Sequence, residues 1–258
     1  MKIGVYPAYV LFVLLVCIPH PECDGQVNDS LKYKVSFQIG GQRKTGVFSQ
    51  TSLRVAAKNK LERRKLIFQN VSGYTYTNVN SLRIASDWDF RSILLFKADS
   101  SARLLPAIAH NFHSNILYRI GNSNRGIVGF RTIPFRKIPN LSFLLGGGYE
   151  HSNYAGEIFV NSPYVSSTRS FAVGFANISG KHRLGKGKVI LDYNLSFVQS
   201  IREVKDQFLW FTTGIGLPIH RSLSIGVDYD IRYRNVHLQE IPQVNDLLLI
   251  NFKVNASN

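Results

Sequence analysis

The chain has 258 residues, of which 45% are hydrophobic and 18% are charged, and its formal net charge is +15. This composition excludes a disordered polyampholyte, and the length is ordinary for a single all-β barrel domain. The positive charge lies in short clusters between apolar segments, without interleaved aromatic residues, so we predict no nucleic-acid partner.

The N-terminus has the layout of a secretory signal peptide. Lys2 supplies a positive charge, and Tyr9–Ile18 is an apolar run that is too short to span a bilayer as a helix. We therefore predict a signal peptide over residues 1–25 and a barrel domain over residues 26–258. Export to the outer membrane of a Gram-negative cell follows from this prediction.

Both cysteines, Cys17 and Cys23, lie in the predicted signal peptide and would be removed with it. Acylation of Cys17 is an alternative, because it would anchor the chain to a membrane. The preceding residue, Val16, is bulkier than lipoprotein processing prefers, so we favour cleavage before Gln26.

From Leu31 to Asn255 apolar and polar residues alternate in segments bounded by turn-forming residues. Many segments reach or exceed the roughly 9–11 residues that a tilted strand needs to cross a bilayer. This pattern predicts an antiparallel transmembrane β-barrel of about 12 strands. The predicted strands cover residues 32–40, 46–58, 63–77, 80–91, 103–120, 124–133, 140–151, 166–181, 187–200, 206–217, 222–236 and 245–255.

Four segments show an apolar face most clearly, and we expect these faces to contact lipid. The segments are 141–149, 171–176, 189–199 and 223–234. In the second, Phe171, Val173 and Phe175 alternate with small residues, and we expect Phe171 in an aromatic girdle. An exported soluble β-sandwich or binding protein could also alternate, but its apolar face would point inward.

The polar face of the same strands carries charged residues that we predict to line the lumen. In a narrow lumen, pairing of opposite charges would close the barrel structurally, and we favour this over a selectivity lining for small solutes or ions. A third interpretation places binding in the outer loops. The candidate lumen charges are Arg83, Asp87, Asp89, Arg91, Asp192, Asp228, Asp230, Arg232 and Arg234.

The connections between predicted strands fall into two alternating classes. We expect short periplasmic turns at 59–62, 97–102, 134–139, 182–186 and 218–221. The longest connections, 151–165 and 236–245, alternate with these turns and are predicted to face outward, as in outer-membrane barrels.

Short motifs recur along the chain at Phe37–Gly41 with Thr45 and Gly46, Ser49–Ala57, Tyr118, Arg119 and Gly121, Gly146–Glu150 with Tyr154, and Asp246–Leu248. Through these motifs the region from Tyr33 to Phe252 resembles the YdiY-like outer-membrane proteins, also labelled salt-induced outer membrane proteins (DUF 481), a family of unknown function. The resemblance implies a barrel in the outer membrane and no chemistry. The chain departs from common outer-membrane proteins in ending six residues after Phe252.

The best enzymatic alternative is a lipid-modifying hydrolase that uses His220 and Ser222, because residues two apart on a strand share a face. They fall in a predicted turn and have no carboxylate at a suitable spacing, so we predict no enzyme and no catalytic residue. The histidines show no metal-ligand spacing, and we predict neither metal nor cofactor. The expected partners are outer-membrane lipid, lipopolysaccharide and the barrel-assembly machinery, with the chain a monomer.

Overall fold

The computed structural model describes residues 31–44, 50–79, 82–98, 103–115, 119–135, 138, 140–162, 165–239, 241 and 243–257. The predicted signal peptide, with Cys17 and Cys23, lies outside the described residues. No helix within these ranges is long and apolar enough to cross a membrane.

Twelve long strands form the fold, and each overlaps a strand that the alternation of apolar and polar residues predicts. Two short strands, β8 (Phe159–Val160) and β13 (His237–Leu238), pair with each other in loops. The long strands are β1 (Lys32–Lys44), β2 (Gln50–Arg63), β3 (Leu66–Val79), β4 (Leu82–Phe96), β5 (Leu104–Asn115), β6 (Ile120–Thr132), β7 (Ser142–Tyr154), β9 (Thr168–Leu184), β10 (Val189–Ser200), β11 (Gln207–Pro218), β12 (Leu223–Arg234) and β14 (Val244–Ser257).

The long strands close into a barrel in the order β1-β14-β12-β11-β10-β9-β7-β6-β5-β4-β3-β2. Every neighbouring pair is antiparallel, and β1 pairs with β14, so the barrel has no free edge. The predicted twelve-strand antiparallel barrel is confirmed. We call the end where β1 begins and β14 ends the lower end, and the opposite end the upper end.

The two faces of each strand differ sharply in exposure. Val128, Leu145 and Ile250 point outward and are 68%, 61% and 60% exposed, whereas their neighbours Ile127 and Leu249 are 2% and 0% exposed. A contiguous apolar wall of this extent is unusual on a soluble monomer. Its members include Phe37, Ile39, Leu53, Val55, Ile108, Val128, Phe130, Leu145, Tyr149, Ile215, Val227, Leu248, Ile250, Phe252 and Val254.

The longest connection, residues 155–167, lies at the upper end, whereas the lower connections range from the turn at 64–65 to residues 133–141. The turn after β9 is a 3-10 turn in which Gly185 and Gly187 have φ angles of 56° and 89°, a region that glycine adopts without strain. At the upper end β8 and β13 carry an apolar cluster that we call the upper cap. Its buried members are Ile120, Tyr154, Phe159, Val236, Leu238 and Ile241.

Several details of the sequence prediction were wrong. The turn predicted at 182–186 begins only after Leu184, where β9 ends, and the loop predicted over 236–245 contains β13. The first lower turn is at residues 64–65 instead of 59–62, because β2 continues to Arg63. The predicted loop over 151–165 begins in strand, since β7 runs to Tyr154, and contains β8.

A further error concerns the face of β9. Phe171 and Val173 point inward, are 8% and 0% exposed, and pack against Val198 with Phe175 and Phe208 alongside. Large side chains are needed there to fill the interior, whereas Gly174, on the outer face, has open space around it.

Candidate functional site

The lumen is crossed at mid-height by side chains from opposite walls. Arg91 on β4 and Trp210 on β11 lie six strands apart in the ring of twelve, yet the Arg91 guanidinium is 4.1 Å from the centre of the Trp210 ring. Arg232, from β12, lies 4.4 Å from the same ring centre, and the His113 ring, from β5, is 6.4 Å away. These contacts bridge the lumen at this level.

Ion pairs join the walls at the same height. Arg54 on β2 contacts Asp230 Oδ2 on β12 at 3.3 Å and Asp89 Oδ2 on β4 at 3.6 Å. Arg232 reaches Asp87 Oδ2 on β4 at 4.0 Å. We call this set the middle tier; its members are Arg54, Asp87, Asp89, Arg91, His113, Trp210, Asp230 and Arg232.

A second group of charges, the upper tier, lies between the middle tier and the upper cap. Glu150 is 1% exposed and accepts hydrogen bonds from Arg125 Nε at 2.7 Å and Ser152 Oγ at 3.0 Å. Arg234 Nη2 lies 3.7 Å from Glu150 Oε1, and its Nε lies 3.7 Å from Asp206 Oδ1. The upper tier comprises Ser123, Arg125, Glu150, Ser152, Arg169, Glu203, Asp206 and Arg234.

Asp206 ties a loop to this tier. Burial raises the pKa of the Asp206 carboxyl above its usual range, and the guanidinium groups of Arg234 and Arg169 oppose that rise. Arg169 also pairs with Glu203 of the same loop, at 2.5 Å. The loop after β10 is therefore held over the lumen by charges from β9 and β12.

A cavity of about 610 Å³ extends along the lumen from the lower end past the middle tier to Glu150 and Arg234 of the upper tier, and we call its part below the middle tier the lower chamber. Lys58, Lys60, Arg131 and Lys181 line it together with Asp192. A smaller cavity of about 260 Å³ beside it shares the three lysines and Asp192 and adds Lys34 and Lys253. The polar interior is thus strongly basic at its lower end.

The predicted lumen charges separate into these three levels. Asp87, Asp89, Arg91, Asp230 and Arg232 meet in the middle tier, where they contact partners both on their own strand and on other strands. Arg234 belongs to the upper tier. Asp192 and Asp228 belong to the lower end, where Lys253 Nζ lies 3.4 Å and 3.0 Å from their carboxylates. The side chain of Arg83 lies outside the described residues.

Sequence reasoning missed several residues that complete these levels. Arg54 alternates with the outward Leu53 and Val55, so the same period-two pattern could have found it. Trp210 was missed because an aromatic residue on a strand is expected on the lipid face. Glu150 follows a glycine run that masks the alternation.

The serine and histidine of the hydrolase hypothesis lie in the turn at residues 219–222 and are exposed. Within the described residues, no hydrogen bond joins His220 to Ser222 or to a carboxylate. The described residues also contain no group of three or more potential metal ligands.

No family model matches the chain, and no curated protein matches it. Solved structures that resemble it include the NanC porin, with 10% identity and a TM-score of 0.46 over 86% of this chain and 97% of that chain. The KdgM porin has 9% identity and a TM-score of 0.42 over 86% and 98%. An outer membrane channel from Pseudomonas putida F1 has 8% identity and a TM-score of 0.45 over 93% and 100%. The strand pairing of the chain itself establishes the barrel.

Proposed function

We propose that this chain is an outer-membrane β-barrel whose lumen is closed at the middle tier. The exposed apolar wall supports a lipid environment, because removing such a surface from water is favourable and a soluble monomer would leave it hydrated. The position of the longest connection, residues 155–167, at the upper end supports a periplasmic lower end. The outer-membrane location, the signal peptide and the kinship with the YdiY-like proteins are parts of this proposal.

The observation that carries the closed lumen is the contact of Arg91 with Trp210. The two residues come from opposite walls, and the ring of Trp210 is also hydrogen-bonded through Nε1 to Asp230 Oδ2 at 2.9 Å. A hydrated ion moving along the lumen would have to pass this contact and the ion pairs around it, whose desolvated charges need one another. The resting barrel therefore has a structural role and conducts little or nothing.

Planar-bilayer recording of the refolded full chain tests the closed lumen. We expect the wild-type barrel to be electrically silent and the double variant Arg91→Ala with Trp210→Ala to pass a steady current. The matched control is Phe90→Ala with Phe211→Ala, which removes the next residue on each strand from the outer face and should stay silent. β-Sheet circular dichroism and heat-modifiable migration in gels verify that each variant folds. Wild-type current equal to that of the Arg91 and Trp210 variant would overturn the proposal and favour a narrow pore.

A further inference from the structure

The lower chamber holds more positive charge than the surrounding carboxylates neutralise. Lys253 is matched by Asp192 and Asp228, and Lys60 Nζ lies 2.7 Å from Glu62 Oε2. Neither Lys58 nor Lys181 forms an ion pair with any residue that the structure describes. Both are exposed although they line the interior, so solutes that enter the chamber reach them.

Lys58 and Lys181 face one another across the chamber. They lie on β2 and β9, which are six strands apart in the ring, and both line the larger and the smaller cavity. Two like charges directed into one chamber repel each other, and an anion between them would be attracted to both. The placement therefore favours an anionic occupant.

Arg131 adds a third cation that neutral groups hold in place. Its Nη1 donates to Gln69 Oε1 at 2.9 Å and its Nη2 donates to Ser142 Oγ at 2.9 Å. Ser142 Oγ is in turn 2.9 Å from Ser179 Oγ. Because these acceptors carry no charge, the guanidinium is oriented without being neutralised, which suits it to bind a carboxylate or phosphate.

Apolar side chains line the same part of the lumen. Ile67, Leu95, Leu105 and Leu144 form a cluster there, and the partly buried Ile93 and Phe175 pack against it. All six line the cavity. Apolar side chains beside unneutralised cations suit a ligand with an acidic group and an apolar body, because each part of the ligand then contacts side chains of matching chemistry.

We propose that the lower chamber binds an organic anion, a carboxylate or phosphate group carried on an apolar body, with Lys58, Lys181 and Arg131 as ligands of the acidic group. The chamber lies below the middle tier, so binding requires no passage through the barrel. Failure of the conductance test would leave this site intact, and loss of binding would leave the closed lumen intact.

Isothermal titration calorimetry of the refolded full chain in detergent micelles tests the site. Benzoate and phenyl phosphate are the probes, at low ionic strength because salt screens the attraction. We expect saturable binding of at least one probe, and the pair says which acidic group is preferred. Inorganic phosphate and benzyl alcohol should bind at least about tenfold more weakly, since each lacks one of the two complementary parts.

Lys58→Gln together with Lys181→Gln should weaken binding about tenfold or more, because a hydrogen-bonded charge is lost at each position. Lys188→Gln is the matched control, since Lys188 is an exposed lysine of the lower turn after β9 and does not line either cavity. Arg131→Lys keeps the positive charge but removes the paired N–H donors of the guanidinium group, so it should weaken binding less than Arg131→Gln. Three outcomes would overturn the proposal: no saturable binding of either probe, equal weakening by Lys188→Gln, or binding of inorganic phosphate as tight as that of phenyl phosphate.

Discussion

Asp230 is the residue on which three walls of the lumen converge. It accepts hydrogen bonds from Arg54 Nη1 at 3.3 Å, Trp210 Nε1 at 2.9 Å and Arg232 Nε at 3.1 Å, which belong to β2, β11 and β12. Asp230 is 5% exposed, so water cannot replace these partners. Its carboxylate therefore holds the middle tier together and neutralises the cations beside it.

Removing that charge should be costly. We expect Asp230→Asn to lower the free energy of unfolding by about 3–5 kcal/mol, because the change leaves buried guanidinium groups without their counter-charge. Urea titration in phospholipid vesicles, followed by tryptophan fluorescence, measures this difference. Asp246→Asn, an exposed carboxylate on β14, is the control and should change stability little. Equal effects of the two substitutions on the free energy of unfolding would contradict this role of Asp230 in stabilising the middle tier.

At the scale of elements, strands β6 and β7 depend on close backbone approach. A Cβ atom on Gly148 would overlap the carbonyl oxygen of Gly126, and one on Gly129 would overlap that of Leu145. Neither carbonyl can move away without breaking the ladder between the strands. The glycine run that resembles a flexible segment in the sequence therefore sets the distance between two neighbouring strands.

Gly148→Ala should lower the free energy of unfolding of the barrel by about 3 kcal/mol, near the upper limit for overpacked sites. The cost is high because the added Cβ atom meets the backbone carbonyl of Gly126, which cannot rotate away as a side chain could. Gly174→Ala is the matched control: Gly174 lies on β9 next to β7, and a Cβ there meets nothing within 4 Å. The folded fraction of each variant can be read from heat-modifiable gel migration after refolding. A larger loss for Gly174→Ala would contradict this account of the two strands.

At the scale of the whole molecule, the barrel places apolar side chains on the outside and charged ones inside. Val128 lies on the outer face of β6, where it pairs with Gly147 of β7, and its side chain is 68% exposed. In water this arrangement would carry a large hydrophobic cost, whereas in a bilayer it is favourable. The proposed membrane environment can therefore be tested on the outer face alone.

Val128→Arg should cost about 2–4 kcal/mol in vesicles if Val128 lies near the bilayer midplane, and almost nothing in a soluble barrel. Gln199→Arg, on the outer face near the upper end of β10, should cost no more than about 1 kcal/mol because it lies at the interface. Equilibrium unfolding in vesicles measures both values. Equal and negligible costs would contradict a lipid-facing wall.

The sequence by itself determined the twelve strands and, for most of them, which face is apolar. Period two is a local property, and each of the twelve predicted strands overlaps one in the structure. The charges of β4 and β12, from Asp87 to Arg91 and from Asp228 to Arg234, were identifiable for the same reason.

Only the tertiary structure decided which charges meet and where the barrel is closed. Arg91 and Trp210 are 119 positions apart in the chain and meet because barrel closure places β4 opposite β11. The inward face of β9 was likewise decided by packing, since Phe171 and Val173 fill space that only the closed barrel encloses. The alternation of apolar and polar residues shows that a strand has two different faces, but barrel closure decides which residues share the interior.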